Sequence, residues 1–433
     1  MNSTESAVRA AKVQSLRLAS STTRQKNAAL AKMAEALDSR RGMILEANLA
    51  DVQAARSAGL SDAMVRRLTV DDRKIDGMVD GIRDVIKLDD PVGRTLEHTE
   101  LDKGLDLYQV SCPIGMIGVI FESRPDVVPQ IMSLCLKSGN GVVFKGGSEA
   151  LNTNKCLFGL LTEAASEDVP VESFVMIETR EDVRSLLELD DCIDLLIPRG
   201  SNSFVRYIKE NTRIPVLGHA SGVCHVYVDS SADTEMALKV ALDSKVQYPA
   251  VCNAMETLLV NRSLAEDFLP SMAALFADNG VEMRCDRLSA PFMPGCVPAE
   301  DSDWDAEYDD KVVAVKVVDS MHEAIEFIND HGSHHTDAIV TQDMQRASLF
   351  AANVDSADVF INASTRFADG YRFGKGAEVG ISTNKIHSRG PVGMEGLMIY
   401  KYILVGGGHV VKDYADGTRR FTHIKDGKEL ELM

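Results

Sequence analysis

The segment Gly115–Ala150, GMIGVIFESRPDVVPQIMSLCLKSGNGVVFKGGSEA, carries the pattern that decides the fold. An apolar run, GMIGVIF, is followed by an amphipathic stretch that stops at Gly139, and a second apolar run, GVVFK, comes next. Glycine at such a position is typical of the residue that ends a helix. Strand, helix and strand in this order predict a βαβ unit in a parallel sheet covered on both faces.

The same alternation continues along the chain. The runs SFVMIE and CIDLLIP predict further strands, and after Cys252 the runs METLLV, VVAVKVV, DAIVT and DVFINA predict a second series. Cys252 is therefore expected between two α/β halves. The first ninety or so residues predict consecutive helices, two of them with N-caps at Ser61 and Thr69. The segment TLEHTELDKGLDLYQVS predicts a β-hairpin, with which the late run LMIYKYILV is expected to pair.

Composition limits the class of protein. The chain has 433 residues, a hydrophobic fraction of 45% and a formal net charge of −19, which argues against nucleic acid or an anionic membrane as partner. Its eight cysteines show no C-x-x-C spacing, which favours reduced thiols in a cytoplasmic protein over a disulfide framework or a zinc ribbon. We predict no membrane segment and a small-molecule substrate.

Cys252 stands in the stretch VQYPAVCNAMETLLV, after a helical run and directly before an apolar strand. One interpretation is a small buried residue, because free cysteine is among the most buried residue types. The other is a nucleophile presented at the end of a strand. The local sequence leaves both open.

Two glycine-containing turns follow predicted strands and precede predicted helices. Backbone N–H groups and a helix N-terminus at such turns can receive a phosphate, and a lysine adds positive charge. Two turns of this kind in one sheet favour a dinucleotide. The residues concerned are Lys145, Gly146, Gly147 and Ser148 in VFKGGSEA, and Gly200 and Ser201 in LIPRGSNSF.

Three arginines, Arg124, Arg366 and Arg389, lie at turns, two of them just past predicted strands. Since ligands of open α/β sheets gather beyond the carboxyl ends of the strands, these side chains are candidates to clamp a carboxylate or phosphate. The segment HGSHH, 331–335, ends a helix and enters a strand with no acidic or cysteine ligand beside it, so we predict no metal site.

The segments VCNAMETLLV, HHTDAIVT, INASTRFADG and HSRGPVGMEGL, together with the opening segment, resemble the γ-glutamyl phosphate reductases, a branch of the aldehyde dehydrogenase superfamily. The resemblance spans almost the whole chain. It implies an α/β fold with a doubly wound cofactor domain, an α/β catalytic domain and a small β oligomerisation element. The expected boundaries are 1–97 and 112–247 for the NADP-binding domain, 248–395 for the catalytic domain, and 98–111 with 396–433 for the oligomerisation element.

The resemblance also implies the chemistry: NADPH-dependent reduction of L-glutamyl 5-phosphate to L-glutamate 5-semialdehyde through a thioacyl enzyme on Cys252. Asn253 or Ser123 is a candidate to assist the Cys252 backbone N–H as oxyanion donor, and Glu307 matches the position that holds the nicotinamide ribose. Val216 stands where hydrolytic relatives carry a water-activating glutamate, which favours phosphate exchange over hydrolysis. The candidate substrate-binding residues are Ser123, Arg124, Arg366, Lys385, His387 and Arg389.

Other functions stay open at this point. One is an acylating dehydrogenase that uses coenzyme A instead of phosphate. A cysteine hydrolase would pair Cys252 with His334, His335 or His387, and a catalytically silent assembly protein would need none of them. The resemblance further implies a cytoplasmic homo-oligomer in proline biosynthesis, with glutamate 5-kinase as pathway partner.

Overall fold

The computed structural model describes residues 3–178, 180–219 and 221–430. The α-helices of this part are α1 Ser3–Leu18, α2 Thr23–Ser39, α3 Arg41–Ser57, α4 Asp62–Leu68, α5 Asp72–Lys87, α6 Val127–Ser138, α7 Leu151–Ala165, α8 Arg180–Leu187, α9 Asn202–Glu210, α10 Thr234–Val246, α11 Ala265–Asp278, α12 Met321–His331, α13 Met344–Asn353 and α14 Val411–Ala415. The β-strands are β1 Thr95–Asp102, β2 Leu105–Pro113, β3 Met116–Phe121, β4 Gly141–Gly146, β5 Phe174–Ile177, β6 Leu195–Arg199, β7 Cys224–Val228, β8 Met255–Asn261, β9 Glu282–Cys285, β10 Val297–Pro298, β11 Val312–Val318, β12 Thr336–Val340, β13 Asp358–Ile361, β14 Gly380–Ser382, β15 Gly390–Val392, β16 Met398–Val405 and β17 Ile424–Asp426.

The chain forms two compact units. The first comprises Met1–Gly200, Tyr207–Val216 and Gly393–Met433, and the second comprises Ser201–Arg206 and Leu217–Val392. Among the described helices, none combines the length and the apolar character that crossing a membrane requires.

The first unit begins with the predicted run of helices. Ser61 caps α4 by accepting a hydrogen bond from the backbone N–H of Met64, as predicted. The prediction of Thr69 as a cap was wrong, because its hydroxyl donates to the Val65 carbonyl at the end of α4. Asp71 caps α5 instead, since its carboxylate accepts the backbone N–H of Lys74.

The predicted hairpin and the late apolar run form one antiparallel sheet of the first unit, in the order β16-β2-β1-β17. Strands β1 and β2 are joined at Lys103 and Gly104. Strand β16 pairs with β2 along its whole length, from Met398 opposite Pro113 to Val405 opposite Asp106. The predicted pairing is therefore confirmed.

The opening segment forms the centre of a parallel sheet in the order β5-β4-β3-β6. Gly139 ends α6 with a left-handed φ of 74°, as predicted for that residue. The chain runs from β3 outward to β4 and β5, and then returns to the other side of β3 as β6. The strand order thus reverses between β3 and β6, where doubly wound folds bind their ligands.

The second unit holds a parallel sheet in the order β10-β9-β11-β8-β7-β12-β13. Strand β7 was not predicted from the sequence. It is hydrogen-bonded between β8 and β12, so residues 217–247 lie in the second unit, whereas our expected boundary grouped them with residues 112–216. Cys252 therefore follows the first strand and helix of this unit and does not separate two halves of the chain.

Both faces of the second sheet are covered, as the apolar runs predict. One face packs Val226 and Leu258 against α10 and α11, through side chains such as Phe268. The opposite face packs Tyr227 and Leu259 against α12 and α13. This alternation fixes the register of the strands, because a slip by one residue would turn each side chain to the other face.

Candidate active site

Cys252 lies at the amino edge of the second sheet. It sits in a turn directly before β8, and Cys224 of β7 is paired with Met255 of β8. His225 of β7 is in turn paired with Asp337 of β12, so the residue before β12, His335, comes level with the cysteine turn. The arrangement differs from our expectation that ligand-binding groups lie beyond the carboxyl ends of the strands.

Two histidines surround the cysteine. One ligand atom each of Cys252, His219 and His335 lie within 4.8 Å of one another. The two imidazole rings meet edge to face, with centroids 4.9 Å apart. His335 is fully buried, whereas Cys252 and His219 are half-buried.

Hydrogen bonds orient both rings. Nδ1 of His219 lies 2.8 Å from the carbonyl oxygen of Ile381, which can only accept, so Nδ1 carries the proton and the neutral ring has its lone pair on Nε2. Nδ1 of His335 lies 2.8 Å from the Thr336 hydroxyl. Nε2 of His335 is buried and has no hydrogen-bond partner among the described residues.

The backbone packs closely around Cys252. The thiol of Cys224 donates to the Cys252 carbonyl oxygen at 3.2 Å, and a Cβ at Gly222 would lie 2.0 Å from the same oxygen. Only glycine fits at that position. Burial raises the pKa of six other thiols, which keeps them protonated and unsuited as nucleophiles: Cys112, Cys135, Cys156, Cys192, Cys224 and Cys285.

Arg366, a predicted substrate-binding residue, interacts electrostatically with Cys252. Burial and then the charge of Arg372 lower the pKa of Arg366, while the Cys252 thiolate acts in the opposite direction. Its Nε donates to Gln247 Oε1 at 2.9 Å. Asn253 donates from Nδ2 to the carbonyl of Ala368 at 2.7 Å. This hydrogen bond connects the turn that carries Cys252 to the loop that carries Arg366.

The other predicted cations of the second unit bind an acidic side chain. Asp355 accepts hydrogen bonds from Lys385 at 2.5 Å and from Nη1 of Arg389 at 3.1 Å. His387 lies between them in the chain and is exposed. The shared carboxylate offsets one of these two positive charges and engages both side chains, so Arg366 is the better candidate for an anion near the sulphur.

Ser123 and Arg124 follow β3 in the first unit. Ser123 is buried with a left-handed φ of 45°, and Glu149 holds it by accepting both its backbone N–H at 2.7 Å and its hydroxyl at 2.8 Å. Arg124 is exposed. Strained residues of this kind persist only where neighbours fix them, and they cluster at functional sites.

The predicted phosphate turn follows β4. Lys145 is buried and its ammonium donates to the Gly146 carbonyl, while Ser148 is exposed at the start of a 3-10 turn. A Cβ at Gly146 or Gly147 would lie 2.3 Å from the Asn154 amide or 2.1 Å from the Glu149 carboxylate. Close packing against these side chains therefore requires glycine at both positions, whether or not a ligand binds.

The second predicted cofactor turn carries Gly200 and Ser201, both exposed, before α9. Nδ2 of Asn202, the first residue of α9, donates to the Glu307 carboxylate at 2.6 Å. A carboxylate at a helix N-terminus, beside exposed hydroxyls, fits the hydroxyl groups of a ribose. The donors of the first unit, a lysine and backbone N–H groups, fit a phosphate.

His219 is the site residue that our sequence reasoning missed. It stands in Pro215-Val216-Leu217-Gly218-His219, a segment noted only for the valine that replaces a glutamate. His335 entered in the segment HGSHH, in the motif HHTDAIVT and as one of three histidines in the hydrolase alternative, but was not assigned to the site. A signal existed for it, because the apolar run of β12 begins directly after it and places it at a strand end.

The fold defines an aldehyde dehydrogenase-like α/β protein. An acetylating aldehyde dehydrogenase from Geobacillus thermoglucosidasius superposes with a TM-score of 0.65 at 16% identity, covering 94% of this chain and 97% of that chain, and so shares the fold. Residues 2–286 match the model of the aldehyde dehydrogenase family.

Relatives with higher sequence identity to this chain share one name. A gamma-glutamyl phosphate reductase of Methanosarcina mazei is 59% identical over 98% of both chains. The crystal structure of a gamma-glutamyl phosphate reductase from Thermotoga maritima superposes with a TM-score of 0.92 at 41% identity, covering 94% of this chain and all of that chain. The chain belongs to the gamma-glutamyl phosphate reductases of the aldehyde dehydrogenase family, and this family membership implies a nicotinamide cofactor.

Proposed function

We propose that this protein reduces L-glutamyl 5-phosphate to L-glutamate 5-semialdehyde and phosphate with NADPH, through a thioacyl intermediate on Cys252. One observation carries the proposal: Cys252 stands at the sheet edge between two imidazoles, with Arg366 in electrostatic reach. The names of the relatives supply the substrate.

His219 is the proposed base that takes the proton of the Cys252 thiol, because its neutral tautomer carries a lone pair on Nε2. The thiolate attacks the acyl carbon, the bond to phosphate breaks and the phosphate leaves with the electron pair. The Cys252 backbone N–H is the proposed donor to the oxyanion. Arg366 is the proposed partner of a substrate anion.

When bound, the reduced nicotinamide supplies the hydride. Within the second unit, Glu307 with Asn202 is the proposed holder of its ribose. The thiohemiacetal on Cys252 then collapses, which breaks the carbon–sulphur bond and returns the thiolate. His219 is the proposed proton donor and acceptor in both halves of this cycle.

Survival of the thioacyl enzyme requires that water is not activated. Val216 stands where hydrolytic relatives have a water-activating glutamate. This favours exchange of the acyl group with phosphate. Preference for NADP over NAD is part of the proposal and is consistent with the positive charge of Lys145.

The test is reduction of NADP⁺ by the full chain with glutamate 5-semialdehyde, with and without inorganic phosphate. We expect turnover only with phosphate, no turnover for Cys252→Ser, and normal turnover for the control Cys156→Ser. Equal turnover without phosphate would show that the thioacyl enzyme hydrolyses. Stimulation by coenzyme A in place of phosphate would favour the acylating alternative, and failure to bind any nicotinamide cofactor would favour the hydrolase.

We further infer a homo-oligomer formed through β16, an edge strand of its sheet. Its side chains Tyr400, Tyr402 and Leu404 are more than half exposed, which is unusual for such residues in a monomer. A cytoplasmic location and a preceding glutamate kinase follow from the proposed reaction, because an acyl phosphate is labile and must be made close to its consumer. Sedimentation of the full chain tests the oligomer.

A further inference from the structure

The cluster at Cys252 has the composition of a transition-metal site. It supplies one thiolate and two imidazoles from three separate segments, with ligand atoms within 4.8 Å of one another. Zinc ions prefer this ligand set, and sites with three protein ligands keep water in the fourth position. The proposed reaction does not require this cluster to bind a metal ion.

The two histidines are already oriented as ligands. Metal-binding imidazoles commonly donate their other ring N–H to a carbonyl or another acceptor, which fixes the tautomer and the ring direction. His219 does so toward the Ile381 carbonyl. His335 contacts the Thr336 hydroxyl through Nδ1, and its Nε2 is fully buried with no partner among the described residues. A buried imidazole nitrogen without a partner is costly unless a ligand satisfies it.

The geometry requires a small adjustment. Zinc–nitrogen and zinc–sulphur bonds of about 2.1 and 2.3 Å put tetrahedral ligand atoms about 3.5 Å apart. The ligand atoms, now within 4.8 Å of one another, therefore have to approach by about 1.3 Å at most. Cys252 and His219 lie in a turn and a loop, where side-chain rotation can supply this movement. His335 is fixed by the register of β12.

We propose that Cys252, His219 and His335 form a binding site for Zn²⁺, with water as the fourth ligand, and that its occupation reversibly blocks the nucleophile. Binding replaces the thiol proton by the metal, so one proton leaves for each cysteine that is ligated. The sulphur then cannot attack an acyl carbon while the ion is bound. The binding itself needs neither substrate nor cofactor, so its failure would leave the proposed reaction untouched.

Co²⁺ is the first probe, because its absorption reports its ligands. The reduced full chain, stripped with a chelator, is titrated with Co²⁺. We expect one equivalent to give a thiolate-to-metal charge-transfer band and the intense visible bands of four-coordinate cobalt, both abolished by Zn²⁺. Cys252→Ser should lose the charge-transfer band, and His219→Ala should weaken binding at least tenfold. Cys156→Ser and His331→Gln are the matched controls and should titrate like the unaltered protein.

A second measurement needs no variant. Iodoacetamide alkylates accessible thiols, and mass spectrometry of the peptides gives a rate for each cysteine. Stoichiometric Zn²⁺ should slow alkylation of Cys252 at least tenfold and leave Cys156 of the same molecules unchanged. An unchanged rate at Cys252, or a cobalt charge-transfer band that persists in Cys252→Ser, would overturn the proposal.

Discussion

Replacing Gly222 by alanine should impair catalysis while leaving the fold intact. The added Cβ would lie 2.0 Å from the carbonyl oxygen of Cys252 and 2.4 Å from its Cα, whereas ordinary contacts begin at 3.4 Å. Both partners are backbone atoms, so no side chain can rotate away. The cysteine turn must therefore move by about 1 Å or more, and a misplacement of that size costs about 100-fold in rate.

The expected loss in kcat/KM is thus about 100-fold, or ~2.7 kcal/mol of transition-state stabilisation. Overpacking by one methyl group should lower the free energy of unfolding by about 1–3 kcal/mol. The assay combines the phosphate-dependent oxidation of glutamate 5-semialdehyde with the alkylation rate of Cys252 and a urea denaturation curve. The denaturation curve separates displacement of the nucleophile from general loss of structure.

Gly159→Ala is the matched control, because a Cβ there meets no atom within 4 Å and the residue lies inside helix α7. This variant should keep full activity and gain about 0.5–1 kcal/mol in stability. Wild-type kcat/KM for Gly222→Ala would refute the reasoning, since the turn would then have absorbed the methyl group without moving the sulphur.

Three further substitutions test other parts of the second unit. Asp229 is buried, which alone would raise its pKa. Hydrogen bonds outweigh burial and lower the pKa to about 2. The main donor is Arg346, whose Nε lies 2.8 Å from Oδ2 and 3.0 Å from Oδ1 of Asp229. The lowered pKa of Asp229 stabilises the folded protein by about 2 kcal/mol above about pH 4, and this contribution is lost as the pH falls toward 2. Arg346→Met should cost about 3–5 kcal/mol in urea denaturation at pH 7, and a loss below 1 kcal/mol would contradict the assignment. Lys245 and Glu256 form a fully buried pair with atoms 2.6 Å apart, in which burial raises the pKa of Glu256 and lowers the pKa of Lys245. Removing Lys245 leaves the Glu256 carboxyl buried without its partner, so Lys245→Met should cost about 3–5 kcal/mol in urea denaturation and adding Glu256→Leu should restore most of it; a double variant as unstable as Lys245→Met would contradict this. Arg366→Ala should raise KM about 5- to 150-fold with a smaller change in kcat, from the ~1–3 kcal/mol that a charged partner contributes, and an unchanged KM would exclude it from substrate binding.

Several features were predictable from the sequence because local patterns cause them. The apolar runs gave all four strands of the first parallel sheet and β8, β11, β12 and β13 of the second, Gly139 gave the end of α6, and the apolar run LMIYKYILV gave its pairing with the hairpin. The family resemblance followed from short motifs that keep their spacing along the chain. Cys252 became the candidate nucleophile through the same resemblance, because its local sequence fits a buried thiol equally well.

Strand β7 and the pairing of individual cations were not predictable. The run CHVYV is only five residues long, and its membership of the second sheet depends on β8 and β12 lying on either side of it. Lys385 and Arg389 looked like free substrate-binding cations, but Asp355, far from both in the chain, accepts hydrogen bonds from each. A polar side chain's partner is set by packing and not by its neighbours in sequence.

The candidate active site shows most clearly which features follow from the sequence alone and which depend on the tertiary structure. The sequence alone determined the alternation of strands and helices and the family, and through the family resemblance it gave Cys252 as the candidate nucleophile. Only the tertiary structure decided which of the ten histidines meet Cys252. His335 reaches it because the register of β7 between β8 and β12 brings the amino ends of these strands level, and His219 because its ring is anchored on the Ile381 carbonyl. Strand order and register are non-local properties, since they depend on burying both faces of the sheet at once.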